Sequence, residues 1–366
     1  MENIRLSLCM IVKNEEDSIG RCLKSVEGVF DEVIIVDTGS TDTTVEICHS
    51  YGCQIECFEW NGSFADARNY GIRKATGDWI MWLDADEEMD EEDKPLLVER
   101  VNFSEWDLMT IHLINYHGEQ ADKFNATDIA HTRLFRNTGL TFKNSIHECL
   151  DIGDLPLERI GHLDVRIHHY GYLDSIVEKK EKYDRNITML EQQLEIADNV
   201  YWAQYYIAME LYRKRKFHEA FTRVNLSIKA FLEINLLPPS MVYKLKYSIL
   251  IAMGSFNGAW PSIQNAISLY PDYVDLRFFK GMILYYLEQF ESALQTFEEC
   301  ILMGEDNIHH LTLRGVGSFQ AWHYKGLCNQ KLGLKKEAVE CFRRSLSISP
   351  QYKHAHDSLK QLEKEA

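Results

Sequence analysis

The sequence predicts an α/β half followed by an all-helical repeat half, and three observations carry that expectation. Short apolar runs alternate with helical spacings four times up to Leu83, strand-like alternation stops near Ser175, and a spaced pattern of small residues then recurs to Pro350. Alternating strands and helices imply a mostly parallel sheet with helices on both faces, and such sheets bind ligands at the carboxyl ends of their strands. A chain of 366 residues exceeds one ordinary core, so two domains are expected. The boundaries expected are 1–174 for the α/β domain, 175–200 for a linking helix and 201–366 for the repeats.

The first run is Leu6–Val12 (LSLCMIV), after which Ile19, Leu23 and Val26 fall at helical spacing within Glu15–Val29. Glu32–Val36 ends at Asp37, and Thr41–Ser50 reads as a helix with Ser40 as its cap. Ile55–Phe58 is a third strand, Phe64–Lys74 a helix, and Trp79–Leu83 a fourth strand with the bulk of a buried one. The residues after these strands should converge on one crevice: Lys13, Asn14 and Glu15 after the first, the DTGSTD turn of Asp37–Asp42 after the second, Asp84 and Asp86 after the fourth. A carboxylate in a tight turn, such as Asp37, can accept from a nucleoside's ring N–H or ribose hydroxyls, or simply cap its own turn. Arg68 can pair with a diphosphate or with the acidic surface of its own domain, and Asn69 stands beside it.

Asp84 and Asp86 place two carboxylates at the end of a strand, as a site for Mg²⁺ completed by substrate phosphates requires. The same residues fit a solvated acidic turn, because Glu87, Glu88, Asp90, Glu91, Glu92 and Asp93 continue the charge. Further on, Asp107–Asn115 and Thr132–Phe135 read as strands. Phe142–Leu150 (FKNSIHECL) brings His147 and Glu148 together, and Val165–Tyr172 (VRIHHYGY) presents His168 and His169. A neighbouring His and Glu can act as base and orienter, and a histidine can complete a carboxylate-held metal site.

From Ser175 the pattern is helical. Trp322, Gly326, Gly333, Ala338, Phe342 and Pro350 recur at the spacing of a tetratricopeptide repeat. Gly281, Ala293 and Phe297 form a second copy, Ala259, Ile263, Ala266 and Pro271 a third, and Trp202, Ala208, Ala220 and Val224 a degenerate first. Four helix pairs would stack as a short solenoid, with Glu178–Ile196 as the linking helix and Ala355–Ala366 as a polar cap. Tyr205, Tyr206, Tyr243, Tyr247 and Tyr285 are candidates for its concave face.

Composition narrows the functions. With 45% hydrophobic and 26% charged residues the chain reads as globular, and its formal charge of -17, from 39 basic against 56 acidic residues, argues against nucleic acid and anionic membrane as partners. The nine cysteines lack metal-ligand spacing and read as buried free thiols of a reducing compartment. Leu6–Val12 is too short for a signal peptide and no apolar stretch spans a bilayer, so a cytoplasmic protein is expected.

With these residues in view, the sequence resembles the family 2 glycosyltransferases of the GT-A fold. It carries IVKNEED, DTGSTDTT, FADARN, WIMWLDADEE, SIHE and HHYGY in the order such proteins show. With its repeat tail it is similar to bacterial peptide glycosyltransferases of the sublancin S-glycosyltransferase type. The resemblance implies transfer of a hexose from a UDP-sugar, with inversion, to a Cys or Ser/Thr side chain of a peptide or protein, a bacteriocin-type peptide being favoured, with Mg²⁺ or Mn²⁺ held by the D-x-D. It implies that Asp37 meets the uracil or ribose, Asp84 the ribose and sugar side, that Asp86 is a metal ligand and that His169 is a further contact to metal or diphosphate. Asn14, Glu15, Arg68 and Asn69 join the donor-binding set. Glu148 is expected as the base that deprotonates the acceptor, with His147 as orienter or alternative base. Beside the peptide acceptor, a homodimer through the repeats is an expected partner. The competing readings are transfer to an envelope polysaccharide or lipid-linked precursor, and a non-catalytic repeat scaffold.

Overall fold

The computed structural model describes residues 4–174, 176, 182–194 and 199–364. The chain divides into two compact units, Met1–Asp122 with Ile129–Met189, and Lys123–Asp128 with Leu190–Ala366.

The first unit opens with β1 (Leu6–Val12), α1 (Ile19–Ser25), β2 (Glu32–Asp37), α2 (Thr44–Ser50), β3 (Gln54–Cys57), α3 (Phe64–Ile72) and β4 (Trp79–Trp82). β1 pairs in parallel with β2 and β4, and β2 with β3, so the alternation read from the sequence is the observed one. Leu8, Met10, Ile34, Ile35, Ile80 and Met81 are fully buried, each contributing about 1.5–3 kcal/mol of transfer free energy.

α1 starts at Ile19, after a turn in which the Glu15 carbonyl accepts from the N–H groups of Ser18 and Ile19, and one local expectation is corrected. Ser40 does not cap α2: its hydroxyl accepts from Asn14 N at 3.0 Å, and Asp42 Oδ1 accepts from Thr44 N at 3.0 Å instead. A carboxylate suits that place, where orphan N–H groups and the positive end of the helix dipole meet it.

After β4 come β5 (Glu87–Met89), α4 (Lys94–Asn102), β6 (Leu108–Tyr116), β7 (Ala126–Arg136), β8 (Phe142–Lys143), β9 (Cys149–Leu150) and β10 (Ile160–His169). The strand order is β3-β2-β1-β4-β7-β6-β10-β5. β7 runs antiparallel to β4, β10 parallel to β6 and β5 antiparallel to β10, so the sheet is mixed beyond β4. The acidic run is no solvated turn, for Glu87, Asp86 and Asp93 are buried. Glu87 pairs with Arg133 of β7, and Asp93 accepts from both the backbone and the guanidinium of Arg166, beside the register shift in β10. Of the thiols expected to be buried, Cys57 and Cys149 are exposed.

Residues 182–194 of the expected linking helix form α5 (Lys182–Leu194); 175, 177–181 and 195–198 lie outside the described residues. The second unit contains α6 (Val200–Arg213), α7 (Phe217–Glu233), α8 (Ser240–Ala252), α9 (Phe256–Ala259), α10 (Ile263–Leu269), α11 (Val274–Tyr286), α12 (Phe290–Met303), β11 (Thr312–Leu313), α13 (Phe319–Lys331), α14 (Lys335–Ile348) and α15 (Lys353–Lys364). Helix pairs recur as expected, with Pro261 separating α9 from α10, since proline lacks the N–H a continuous helix needs. The small residues have a packing cause: a Cβ on Gly281 would stand 2.7 Å from the Phe297 ring, and one on Gly326 2.5 Å from Phe342. Tyr205 and Tyr247, expected on the concave face, are instead buried in the core.

One feature of this unit has no counterpart in the repeat spacing. Between α12 and α13 the chain leaves helix, and β11 pairs antiparallel with Thr127 and Asp128. Arg314 then grips Asp128 with two hydrogen bonds of 2.6 and 2.7 Å. The short segment Lys123–Asp128 is thereby part of the repeat unit.

Candidate active site

The loops after β1 and β2 are built as one piece. Asn14, with φ of 54°, accepts from Thr41 N at 2.8 Å through Oδ1, while Glu15 N donates to Thr44 Oγ1 at 2.7 Å. Asp37 is buried and turns its carboxylate onto Gly39 N at 3.2 Å and Ser40 N at 3.1 Å. These are the bonds of a self-capped turn. A carboxylate has about four lone-pair sites, so Asp37 retains capacity for a nucleoside, whereas Asn14 and Glu15 act here by bracing the DTGSTD loop.

The second cluster centres on Arg68. α3 is capped by Ser63, whose hydroxyl accepts from Asp66 N, and Phe64 N donates to Ser145 O, pinning the SIHE loop to the start of the helix. One turn on, Arg68 is buried, donating from Nε to Glu148 Oε1 at 2.6 Å and from Nη2 to Asp84 Oδ1 at 2.7 Å. The alternative of Arg68 meeting its own domain's acids is thus the observed contact, and those acids are the two site candidates. Asn69 exchanges both of its amide bonds with the backbone of Phe142, at 2.9 and 2.7 Å, and so positions β8. His147 lies in the left-handed region with φ of 50°, a local constraint set by the turn between β8 and β9.

Beneath these groups lies Trp82. The guanidinium carbons of Arg68 and Arg133 stand 4.1 and 3.6 Å from its ring centroid, and His131 meets it edge-on at 5.7 Å. Burial opposes charge on Asp84, but Arg68 and Arg133 outweigh it and hold the carboxyl below its ordinary range. Burial first, then the Arg133 charge, pull His131 down to about 3, so it is neutral near pH 7. Arg133, Glu87 and Trp82 were not singled out in the sequence; the signal available was an arginine inside the strand-like HTRLFR, where an unpaired charge is not expected.

The third cluster is the metal candidate. Asp84 N and Glu87 N close the D-x-D turn through Glu87 Oε2 at 2.9 Å and Asp84 O at 3.0 Å. Asp86 Oδ1 lies 3.5 Å from His169 Nε2, and His169 Nδ1 is 2.8 Å from Asn115 Oδ1, a partner that orients the ring and leaves Nε2 towards Asp86. Burial opposes protonation of His169, but Asp86, Glu87 and Asp84 together raise its pKa. No group of three or more His, Cys, Asp or Glu arranged around a metal occurs among the described residues. The fit of a cation therefore rests on two protein donors and the space beside them. A Cβ on Gly171 would stand 2.5 Å from His169 Nε2 and 2.6 Å from Asp86 Oδ2, so glycine keeps clear the cradle between them. An oxygen and an imidazole nitrogen suit Mn²⁺ or a similar divalent ion whose remaining ligands are phosphate and water.

This architecture agrees with comparisons against known proteins. Residues 7–153 match the model of glycosyl transferase family 2, and residues 274–307 and 319–352 match tetratricopeptide repeat models. The chain carries a family 2 glycosyltransferase domain of GT-A-like α/β architecture followed by tetratricopeptide repeats. A TPR repeat-containing protein of Synechococcus elongatus is 34% identical over 198 residues, 52% of this chain and 48% of that one. The SPbeta prophage-derived glycosyltransferase SunS of Bacillus subtilis is 30% identical over 232 residues, 62% of this chain and 54% of that one. The chain thus spans about half the length of these relatives. Among solved structures, S. aureus TarS 1-349 in complex with UDP-GlcNAc aligns at 16% identity and a TM-score of 0.39, covering 69% of this chain and 88% of that one. Among the described residues, no helix is long and apolar enough to cross a membrane.

Proposed function

We propose that this chain is an inverting glycosyltransferase that moves a hexose from a UDP-sugar to a Cys thiol or Ser/Thr hydroxyl of a peptide or protein. The observation that carries the reading is Arg68 joining Asp84 to Glu148 at the carboxyl ends of the strands, within a family 2 glycosyltransferase domain. The relationship of 62% of this chain to a glycosyltransferase, SunS, and the resemblance of its motifs and repeat tail to peptide glycosyltransferases support the acceptor class.

In this reading Asp37 receives the uracil or ribose and Asp84 the ribose and sugar side of the donor. Asp86 and His169 hold a divalent cation, which when bound neutralises charge developing on the departing diphosphate. Glu148 takes the acceptor's proton with the oxygen that Arg68 leaves open. The acceptor sulfur or oxygen forms its bond to the anomeric carbon from the face opposite UDP, the bond from that carbon to the diphosphate oxygen breaks, and the configuration inverts. Arg68 fixes the base relative to the donor, because the same guanidinium holds Asp84.

The deciding experiment is mass spectrometry of candidate peptides, and separately of lipid-linked acceptors, after incubation with a panel of UDP-sugars and Mg²⁺ or Mn²⁺, with and without chelator. Modification of lipid-linked acceptors alone, or full turnover in excess chelator, would overturn the acceptor or the metal respectively. Glu148→Gln preserves an oxygen for Arg68 and should keep donor affinity while lowering turnover by about two to four powers of ten. Near-normal turnover in that variant removes Glu148 as the base.

A further inference from the structure

The two oxygens of Asp84 stand in different circumstances. Oδ1 accepts from Arg68 Nη2 at 2.7 Å, while Oδ2 has Arg133 Nη1 at 3.9 Å, beyond hydrogen-bond reach. Arg133 is almost wholly buried, and neither its Nη1 nor its Nε makes a hydrogen bond. A buried guanidinium beside a carboxylate ordinarily closes into a charge-assisted bond. Here something holds it back.

That restraint is Glu87. It is fully buried, takes Arg133 Nη2 on Oε1, and accepts from Asp84 N at 2.9 Å on Oε2. One side chain therefore fixes the backbone of Asp84 and also holds the cation that would otherwise capture its free oxygen. Trp82 adds a second restraint, with the Arg133 guanidinium carbon 3.6 Å from its ring centroid. The side chain of Asp84 keeps 34% of its surface exposed, so an oxygen left out of hydrogen bonds, with Arg133 only at ion-pair distance, remains an acceptor within reach of a ligand. A carboxylate oxygen can only accept, and the donor groups that the hexose of a nucleotide sugar offers to it are its hydroxyls.

We propose that Glu87 is a specificity-determining positioning residue: by sequestering Arg133 it keeps Asp84 Oδ2 available to a hydroxyl of the donor's hexose. This rests on the reading of Asp84 as the carboxylate on the sugar side. Sites built to bond a substrate hydroxyl discriminate sharply, because their own polar groups go unpaired without it. Neutralising Glu87 leaves Arg133 with an uncompensated buried charge, and the nearest carboxylate oxygen is that of Asp84. Closing that gap from 3.9 Å to a charge-assisted bond of about 2.8 Å would withdraw Oδ2 from the sugar while leaving the nucleoside contacts in place.

The test is Glu87→Gln, with Glu87→Gln/Arg133→Met as its rescue. In a crystal structure of the ligand-free single variant, Arg133 Nη1 is expected within hydrogen-bond distance of Asp84 Oδ2; an unchanged separation overturns the proposal without reference to any ligand. Calorimetry with UDP, UDP-glucose and UDP-GlcNAc, at fixed Mn²⁺, then reads the consequence. The parent should bind its preferred UDP-hexose more tightly than UDP, and Glu87→Gln should lose about 10–150-fold of that preference, the worth of one bond to a charged group, with UDP affinity unchanged. The double variant, lacking the competing cation, should regain the preference. Equal losses for UDP and UDP-hexose in both variants would mean a purely structural role, and a preserved preference in Glu87→Gln would dismiss the sugar contact. A parent that binds neither UDP nor any UDP-hexose refutes the donor reading itself, and this proposal with it.

Discussion

Gly171→Ala isolates the cation cradle from everything else in the site. No left-handed backbone is required at this position, so alanine is conformationally admissible there, and by reducing the freedom of the unfolded chain it should favour the fold by about 0.4–1 kcal/mol. The steric consequence opposes this. The new methyl would stand 2.5 Å from His169 Nε2 and 2.6 Å from Asp86 Oδ2, so reaching an ordinary contact of 3.4 Å requires displacements of roughly 0.9 and 0.8 Å. Metal sites tolerate about 0.2 Å in ligand distance, which means that one of the two donors has to turn away. His169 is the less free to move, because Asn115 holds its other nitrogen at 2.8 Å. A loss of about 10–100-fold in Mn²⁺ affinity follows, the range seen when a ligand's support is disturbed. Electron paramagnetic resonance titration of Mn²⁺ with UDP present would measure it, and thermal melting would report the fold. Unaltered Mn²⁺ affinity in a folded Gly171→Ala protein would refute the assignment of Asp86 and His169 as metal donors.

Two further outcomes concern the framework. Burial opposes the Asp93 charge, but hydrogen bonds from the Arg166 guanidinium and backbone outweigh it and hold the carboxyl below its ordinary range. Its contribution is therefore complete above the ordinary carboxylate pKa of about 3.9 and is lost as pH falls through the lower folded value. Urea unfolding of Asp93→Asn should show a deficit of about 1.5–3 kcal/mol at pH 7 that closes at strongly acid pH, and a deficit independent of pH would contradict the pairing. Arg314→Met removes both guanidinium bonds to Asp128 and should cost about 1.5–3 kcal/mol, with the Asp128→Asn combination costing less than the sum of the single changes. Strict additivity in that cycle would show that the two side chains do not interact.

What could be read before folding was what depends on local periodicity. Four strand and helix alternations, the strand-end carboxylates Asp84 and Asp86, and the Gly and Phe spacing of the repeats are all encoded within short windows. Even there, local pattern misplaced details: Ser40 looked like the cap of α2 until Asn14, far away in the chain, claimed its hydroxyl.

By itself the sequence determined the class of each half and the crevice its motifs must line, because hydrophobic period and strand order leave few architectures open. Only the tertiary structure decided which charges meet. Glu87 looked like one more acid in a solvated run, yet it is buried because Arg133 arrives from an antiparallel strand 46 residues away. Arg68 likewise finds Glu148 across 80 residues. A charge enters the interior only beside its counter-charge, and which counter-charge stands there is a matter of strand order beyond β4, which no local window records.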